Sequence, residues 1–448
     1  MKGKFFLLFM IFVLQPGIPS LGQADTVYRF SLQEALDHAV AHNLTIRNAT
    51  EDVKVAEMQI KQYLASGFPQ INANVNYNDN LHLQTTLIPD FFSGNPDKKV
   101  EVQFGSQHNA SAAISAQQMI FNGPFLVGLE AMKVLRKLNQ QNLEKTEKDV
   151  KETVAQTYYI ILAGQETVRI LKENFQNMQK SLSETEKLYK AGFVEDISVD
   201  QLRVSVTSLK NAVLSARRQE EASMRLLKFQ MGLDLEAQIE LTDNLDNMLR
   251  EIDYQNIILQ PFRLADQIDF QVIDTQAKLA ELNLKKEKYN YFPTVSALYN
   301  NQWSAIRDKF DFFDPTEKWF YASFLGITVN IPVFSSGLRK ATVGMRKVEL
   351  EKALISRKLV EQNLLMENQQ VRENLATAWE NFISQKENVA LSKKVVEKTS
   401  IKVKAGTASS LDLTQVNNQY LQTQTSYFSA LIQLINAKIQ LDKLLNRI

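Results

Sequence analysis

The chain contains no cysteine. That excludes a disulfide framework, a zinc–thiolate centre and a cysteine nucleophile, and it removes the residue on which a lipid anchor would be built. Charge imbalance is missing too: 51 basic against 50 acidic residues leave a net charge of +1, so there is no basic footprint for nucleic acid. Long apolar runs are also missing. The longest, Phe5 to Leu14, is well short of the ~20 residues that cross a bilayer as a helix. Histidine is scarce, with 4 in the chain. His38 and His42 stand at i, i+4 beside Glu34, a spacing that can hold a metal, but no clear third ligand accompanies them. A solvated helix face is the plainer reading. His82 and His108 fall singly in strand patterns. No catalytic constellation stands out, and the expectation is no enzyme, no cofactor and no metal site.

What is present begins with an address. Residues 1–24 read as a secretory signal peptide: Lys2 and Lys4 form the charged region, the Phe5–Leu14 run follows, Pro16 and Pro19 break it, and Ser20, Gly22 and Ala24 offer small residues for cleavage. The mature chain is expected to start after Gly22 or Ala24. An exported chain without an apolar helix can span a membrane only with strands.

One stretch occurs twice. Lys190-Ala-Gly192 precedes a helical run to Met231, and Lys404-Ala-Gly406 precedes another to the C-terminus. The copies align without a gap: Gln201 falls on Gln415, Ser215-Ala216 on Ser429-Ala430, and Leu227 on Leu441. Apolar residues recur at alternating steps of three and four, a coiled-coil seam that Glu220 and Thr423 interrupt. Each Gly sits where a helix ends and another begins, as at the close of a tight αα-turn.

The chain then divides as follows. Residues 25–231 form a first repeat. Ser31 with Glu34 makes a capping box, and a helix is expected from Phe30 to about Ser66, ended by Gly67-Phe68-Pro69. The period then switches to two. Strands are expected at about 70–88 and 100–119, with Ile71, Ala73, Val75 and Tyr77 on one face and Asn72, Asn74, Asn76 and Asn78 on the other. A loop spans Pro89 to Lys99. A helix of about 60 residues, or about 90–100 Å, follows from Asn122-Gly123-Pro124, then the turn 190–193 and a further helix. Residues 232–261 read as a connecting, equatorial segment. Residues 262–448 repeat the plan: a helix to about Tyr291, Phe292-Pro293 echoing Phe68-Pro69, strands at about 293–305 and 318–333, a long helix to about Val403, the turn 404–407 and a last helix. In each half the two shorter helices, laid end to end, match the long one, which gives a rod.

Strands this long, with one apolar face and one face of Asn, Gln and Ser, suit a membrane barrel with a wet lumen, although a globular sheet also alternates. Four strands cannot close a barrel, since small ones need about eight, and lipid does not tolerate open edges. Three copies supply about twelve strands. An autonomous porin would not need such rods, and an adhesive or structural coiled-coil surface protein would not need one-sided Asn strands.

Ser31-Leu-Gln-Glu-Ala-Leu36 with Ala39 and Asn43-Leu44, Phe68-Pro69 and Phe292-Pro293, Ile331-Pro-Val-Phe-Ser-Ser-Gly337, Tyr189-Lys-Ala-Gly192 and Lys404-Ala-Gly406 carry a resemblance across essentially the whole mature chain. In order and spacing they resemble the TolC-like outer-membrane efflux family. The resemblance implies a mainly α fold with membrane β: a homotrimer with a shared 12-stranded barrel and a coiled-coil α-helical barrel in the periplasm. It implies a passive exit duct of a tripartite efflux or type I secretion system, docked to a periplasmic adaptor bound to an inner-membrane pump. It places the docking tips at Lys190, Ala191, Gly192 and Phe193 and at Lys404, Ala405, Gly406 and Thr407. It also implies acidic rings at the periplasmic aperture. Asp412 matches one; Gln415 stands where a second acid would be, and Ser198 where the first repeat often has Asp. Cargo, pump and adaptor are not legible.

Overall fold

The computed structural model describes residues 27–90, 97, 99–250 and 254–448; the expected signal peptide and most of the loop after Pro89 lie outside the described residues. In chain order the elements are β1 (Tyr28–Phe30), α1 (Leu32–His42), α2 (Leu44–Ala65), β2 (Gln70–Asp79), β3 (Thr85–Pro89), β4 (Lys99–Gln103), β5 (His108–Phe121), α3 (Gly123–Lys190), α4 (Asp196–Met231), β6 (Ile239–Leu241), α5 (Leu245–Arg250), α6 (Tyr254–Ile258), α7 (Ile268–Tyr289), β7 (Thr294–Arg307), β8 (Phe320–Asn330), α8 (Leu338–Lys404) and α9 (Ser410–Leu444). Helix makes up 66% of the described residues, so the fold is mainly α. It divides into two units, residues 1–39 with 157–252, and residues 40–156 with 253–448.

In the first unit, β1 pairs in parallel with β6, with Tyr28 opposite Ile239 and Phe30 opposite Leu241. The helix expected from Phe30 therefore starts at Leu32, because Phe30 is committed to a strand. The switch is held by Asp243. Its carboxylate accepts from the Leu32 amide at 2.7 Å and lies 2.8 Å from the Tyr158 hydroxyl, which is also 3.0 Å from the Phe30 carbonyl. Tyr158 is wholly buried; that burial, reinforced by Asp243, pushes its phenol pKa up. Ser31 closes the capping box with Glu34, donating from N and Oγ at 2.8 Å to Oε2. Those two bonds hold the Glu34 carboxyl below its usual range. The helices of this unit bury Ile161, Leu162, Val168 and Met178 from α3, and Val199, Leu202, Leu209, Leu227 and Met231 from α4.

In the second unit, β2, β5, β7 and β8 form one antiparallel sheet in the order β2-β5-β7-β8, and β3 with β4 forms a separate hairpin. The single strands expected over 70–88 and 100–119 are thus two strands each. The alternation from Ile71 does not run through Leu81 and Leu83, because the chain leaves the sheet at Asn80. There its N–H donates to the Gln107 carbonyl at 2.7 Å and its side chain to the Ser106 carbonyl at 2.9 Å. The expected helix to Ser66 is likewise broken: Asn43 Oδ1 accepts from the amides of Thr45 and Ile46 and starts α2 afresh. The expected connecting segment holds β6, α5 and α6, and the helix expected from Pro261 begins at Ile268 after a 3-10 turn at Leu264–Asp266.

Helix α8 packs on α7 and α9. It buries Leu364, Val371, Leu375, Ala378 and Phe382, a step pattern of sevens, fours and threes that is a heptad seam. Thr423, expected to interrupt the seam of α9, is buried; its hydroxyl donates to the Gln419 carbonyl at 2.8 Å and meets Ser392 Oγ at 3.2 Å. Helices α2 and α3 are joined near the end of α2. Tyr63 stacks on Phe125 with ring centroids 5.2 Å apart, and a Cβ at Gly128 would overlap the Tyr63 hydroxyl. Gly128→Ala is expected to lower the thermal midpoint in detergent, corresponding to about 1–3 kcal/mol of overpacking. Adding Tyr63→Phe removes the oxygen but leaves the ring carbon Cζ at 2.5 Å, so it recovers only part of the loss, whereas Tyr63→Leu recovers more; a midpoint unchanged by Gly128→Ala would show that α2 and α3 yield freely there.

Candidate functional site

The sheet has two unlike faces, and strand register assigns every residue to one of them. Ile71, Ala73, Val75 and Tyr77 of β2 stand opposite Ala116, Ile114, Ala112 and Ala110 of β5. The same face continues through Tyr299, Trp303 and Ala305 of β7 to Tyr321, Leu325, Ile327 and Val329 of β8. Gln118, Asn301 and Ser323 are polar exceptions on it; Asn301 donates to the Tyr299 hydroxyl at 3.3 Å. On the other face, Asn72, Asn74, Asn76 and Asn78 lie opposite Ser115, Ala113, Ser111 and Asn109, with Asn300, Gln302 and Ser304 next in line. Val75 is 82% exposed, so the apolar face is uncovered by this chain.

The apolar face ends in aromatic rings and then in charge. Tyr77 meets Phe310 and Phe312 edge to face, and Phe312 lies beside Trp319. One row further along, His108 Nδ1 is 3.5 Å from the Asp79 carboxylate, and Arg307 pairs with Asp311 and Glu317 at 3.2 Å. Apolar strand, aromatic girdle, ionic rim is the order in which a barrel wall meets an interface. Strands β2 and β8 are the edges of the sheet. Among the described residues, no further strand pairs with their outer N–H and C=O groups.

The two helix turns close in the same way. In the first, the Gly192 amide donates to the Tyr189 carbonyl and that of Phe193 to the Leu188 carbonyl, both at 2.9 Å. Ala191 donates to Lys187. In the second, Gly406 donates to Val403 at 3.0 Å and Thr407 to Lys402 at 2.9 Å, with the Thr407 hydroxyl on the same carbonyl at 3.1 Å. Each is a Schellman cap. Gly192 and Gly406 have φ of +77° and +72°, where a side chain is disfavoured. Lys190 and Lys404 are the last residues of α3 and α8, Ala405 is the C-cap of α8, and Phe193 stands 77% exposed.

Beyond the turns the copies differ. Helix α9 starts with a complete capping box: Ser409 N and Oγ donate to Asp412 Oδ2 at 2.8 Å, and the Asp412 amide donates back to Ser409 Oγ at 3.1 Å. The backbone bond, then the hydroxyl bond, holds the Asp412 carboxyl below its usual range. In the first copy Glu195 takes the cap position without a side-chain bond, and Ser198 stands half-buried where Asp412 falls in the second. The first hairpin is instead clipped by Arg203, 3.1 Å from Glu186 and 3.5 Å from Asp200. Gln415 is exposed one turn beyond Asp412. Asp412 is thus a helix cap as well as an aperture candidate, a role that Ser409 three residues ahead of an acid would have signalled. The His38 and His42 pair has a plainer use. His38 Nδ1 is 3.2 Å from the Met231 carbonyl, its ring meets Phe30, and Glu34 is taken by Ser31.

The model of the family described as "Outer membrane efflux protein" matches residues 35–233 and 264–447. The chain belongs to the outer membrane efflux protein family. This member is similar to the cation efflux system protein CusC of Escherichia coli K12, with 22% identity over 341 residues that cover 74% of this chain and 68% of CusC. Solved structures share the fold. A crystal structure of CusC superposes with a TM-score of 0.73 at 17% identity, covering 95% of both chains. A membrane protein from Pseudomonas aeruginosa gives 0.75 at 14%, covering 96% of both. VceC from Vibrio cholerae gives 0.70 at 14%, covering 92% of this chain and 95% of VceC. An outer-membrane efflux channel is what the sheet of this family member is built for.

The caps make a prediction. Ser409→Ala is expected to speed backbone amide exchange at residues 410–412 several-fold at pH 7. The double substitution Glu195→Ser with Ser198→Asp, which installs the missing box, slows exchange at the start of α4. Because the Asp412 carboxyl is depressed, its contribution is full at neutral pH and is lost as pH falls through its folded value. Protection of the Asp412 amide, relative to its intrinsic exchange rate at each pH, should therefore fall below the ordinary carboxylate range in the parent, and start lower and fall less in Ser409→Ala, which loses the hydroxyl bond but keeps the Ser409 amide bond to the carboxylate.

Proposed function

We propose that this chain is one third of an outer-membrane exit duct in a tripartite efflux or type I secretion system. Three copies share a barrel of about twelve strands whose apolar face meets lipid and whose Asn-rich face lines the lumen. The helices of both repeats continue the wall as a periplasmic α-barrel. The duct is passive: it makes and breaks no bonds, and it opens when partners shift helix packing. Lys190 to Phe193 and Lys404 to Thr407 are proposed as tips that dock a periplasmic adaptor bound to an inner-membrane pump. Asp412, Gln415 and Ser198 are each proposed as aperture positions, and an aperture of these residues is less acidic than one with Asp at all three. The cation cargo in the name of CusC is not carried over, because two of the three acids are absent here.

The observation that carries this reading is the four-stranded sheet with two open edges, an uncovered apolar face and an uncharged polar face. An adhesive coiled-coil protein would have no use for it. The mass of the protein in mild detergent is expected to be that of a trimer; a monomer with native secondary structure overturns the shared barrel.

Charge placed on the two faces separates lipid from lumen. Val75→Arg or Ile327→Arg is expected to cost about 2–4 kcal/mol per copy near the midplane and to abolish assembly, read as loss of the trimer band in outer membranes. Asn74→Arg assembles normally and changes conductance. Equal tolerance of Arg on both faces would reverse the assignment.

A further inference from the structure

The polar face of the sheet is not uniform. Along β2 it is a ladder of asparagines, but along β8 it carries Phe320, Ala322 and Phe324. Phe320 lies opposite Ser304 and Phe324 opposite Asn300, so the register leaves no doubt about their face. They are 61% and 55% exposed, and Ile306, the next polar-face position beyond Ser304 on β7, is 54% exposed. Two rings four residues apart on a strand stand about 13 Å apart at ~3.3 Å per residue. Ala322 leaves the space between them open. No residue of the four strands on this face carries a charge. The ionisable residues Asp79, His108 and Arg307 belong to the opposite face.

Strands β2 and β8 are the free edges. Closing a barrel from copies of this sheet therefore lays β8 of one copy against β2 of the next. Each junction brings the aromatic stripe beside the asparagine ladder. Apolar rings flanked by a few amides, with no charge from the four strands on that face, are the components of a site for a flat organic molecule: ring faces for stacking and amides for its polar rim.

We propose that Phe320 and Phe324, with the β2 amide ladder of the adjoining copy, form a contact site for planar aromatic solutes in transit. The proposal rests on the reading that the polar face lines a lumen shared between copies. It makes the barrel wall selective in its own right: solutes with a flat aromatic surface dwell at the junctions, and solutes without one pass them unheld.

The test uses the full protein in lipid nanodiscs, with empty discs as background, and proflavine as the probe in equilibrium dialysis. Tetraethylammonium, a cation without a ring, is the control. The parent is expected to bind proflavine and not tetraethylammonium. Phe320→Leu with Phe324→Leu, which keeps apolar bulk but removes both rings, is expected to weaken proflavine roughly tenfold. Because the chain lacks cysteine, a single Asn74→Cys reports on the lumen alone. A membrane-impermeant thiol reagent should reach it, and should not reach Val75→Cys on the other face. If Asn74→Cys is reached and the double Leu variant binds proflavine as the parent does, or the parent binds none, the aromatic site is overturned and the lumen stands. If Asn74→Cys is not reached while Val75→Cys is, the lumen reading fails and takes the site with it.

Discussion

The outer backbone groups of β2 and β8 set the terms for everything else. In water an unpaired edge is solvated; in hydrocarbon each unpaired N–H or C=O costs several kcal/mol. The sheet cannot bend back on itself to join those edges, because it has four strands. Its apolar face offers Val75, Ile327 and Val329 to the surroundings, and the Asn, Ser and Gln face needs water. A single chain therefore leaves two demands unmet, one of hydrogen bonding and one of solvation. Association in a membrane meets both at once. The aromatic and ionic rows around Tyr77, His108 and Arg307 show where the apolar demand stops.

The helical turns obey a different constraint. The first amides and the last carbonyls of a helix must be satisfied locally when no tertiary partner supplies bonds. Both turns solve this at the helix C-terminus with a glycine in the left-handed region. They solve the following helix start differently, with the Ser409 and Asp412 box in one copy and the Arg203 clip in the other. One hairpin is thus fixed through its backbone, the other through side chains on exposed surface, where ion pairs are weak and screened by salt. Identical turns carry helices whose first turns have unequal resistance to fraying.

Much of this was legible in residue order. The two-residue alternation from Ile71 marks where the chain turns to strand, though not where each strand ends, and the repeated Lys-Ala-Gly turns fall where α3 and α8 end. The alternation failed where local side chains override it. Asn80 carries the chain off the sheet with its own amide, and Asn43 restarts a helix that the apolar pattern runs straight through. The strand at Tyr28–Phe30 left no trace in the pattern, because three residues are too few to show a period and their partner lies beyond Gln238. Phe320 and Phe324 were visible as breaks in the polar face of the fourth strand, but their meaning depended on knowing which strand is an edge. At the helix starts, attention to Asp412 as a charge obscured the simpler fact that it caps a helix.

The clasp of β1 on β6 has a consequence for the order of assembly. Leu32 and Asp243 are 211 positions apart. The β1 segment is among the earliest of the described residues to emerge, yet its hydrogen-bonding partner comes late. Until residue 243 is delivered, the Leu32 amide lacks the Asp243 carboxylate that accepts from it, and β1 lacks its partner strand β6 until residue 241. Contacts of such long sequence separation form slowly, since the intervening loop must first be ordered. The leading segment thus stays an unpaired strand while more than two hundred residues follow it, and its sheet closes only when β6 is in place.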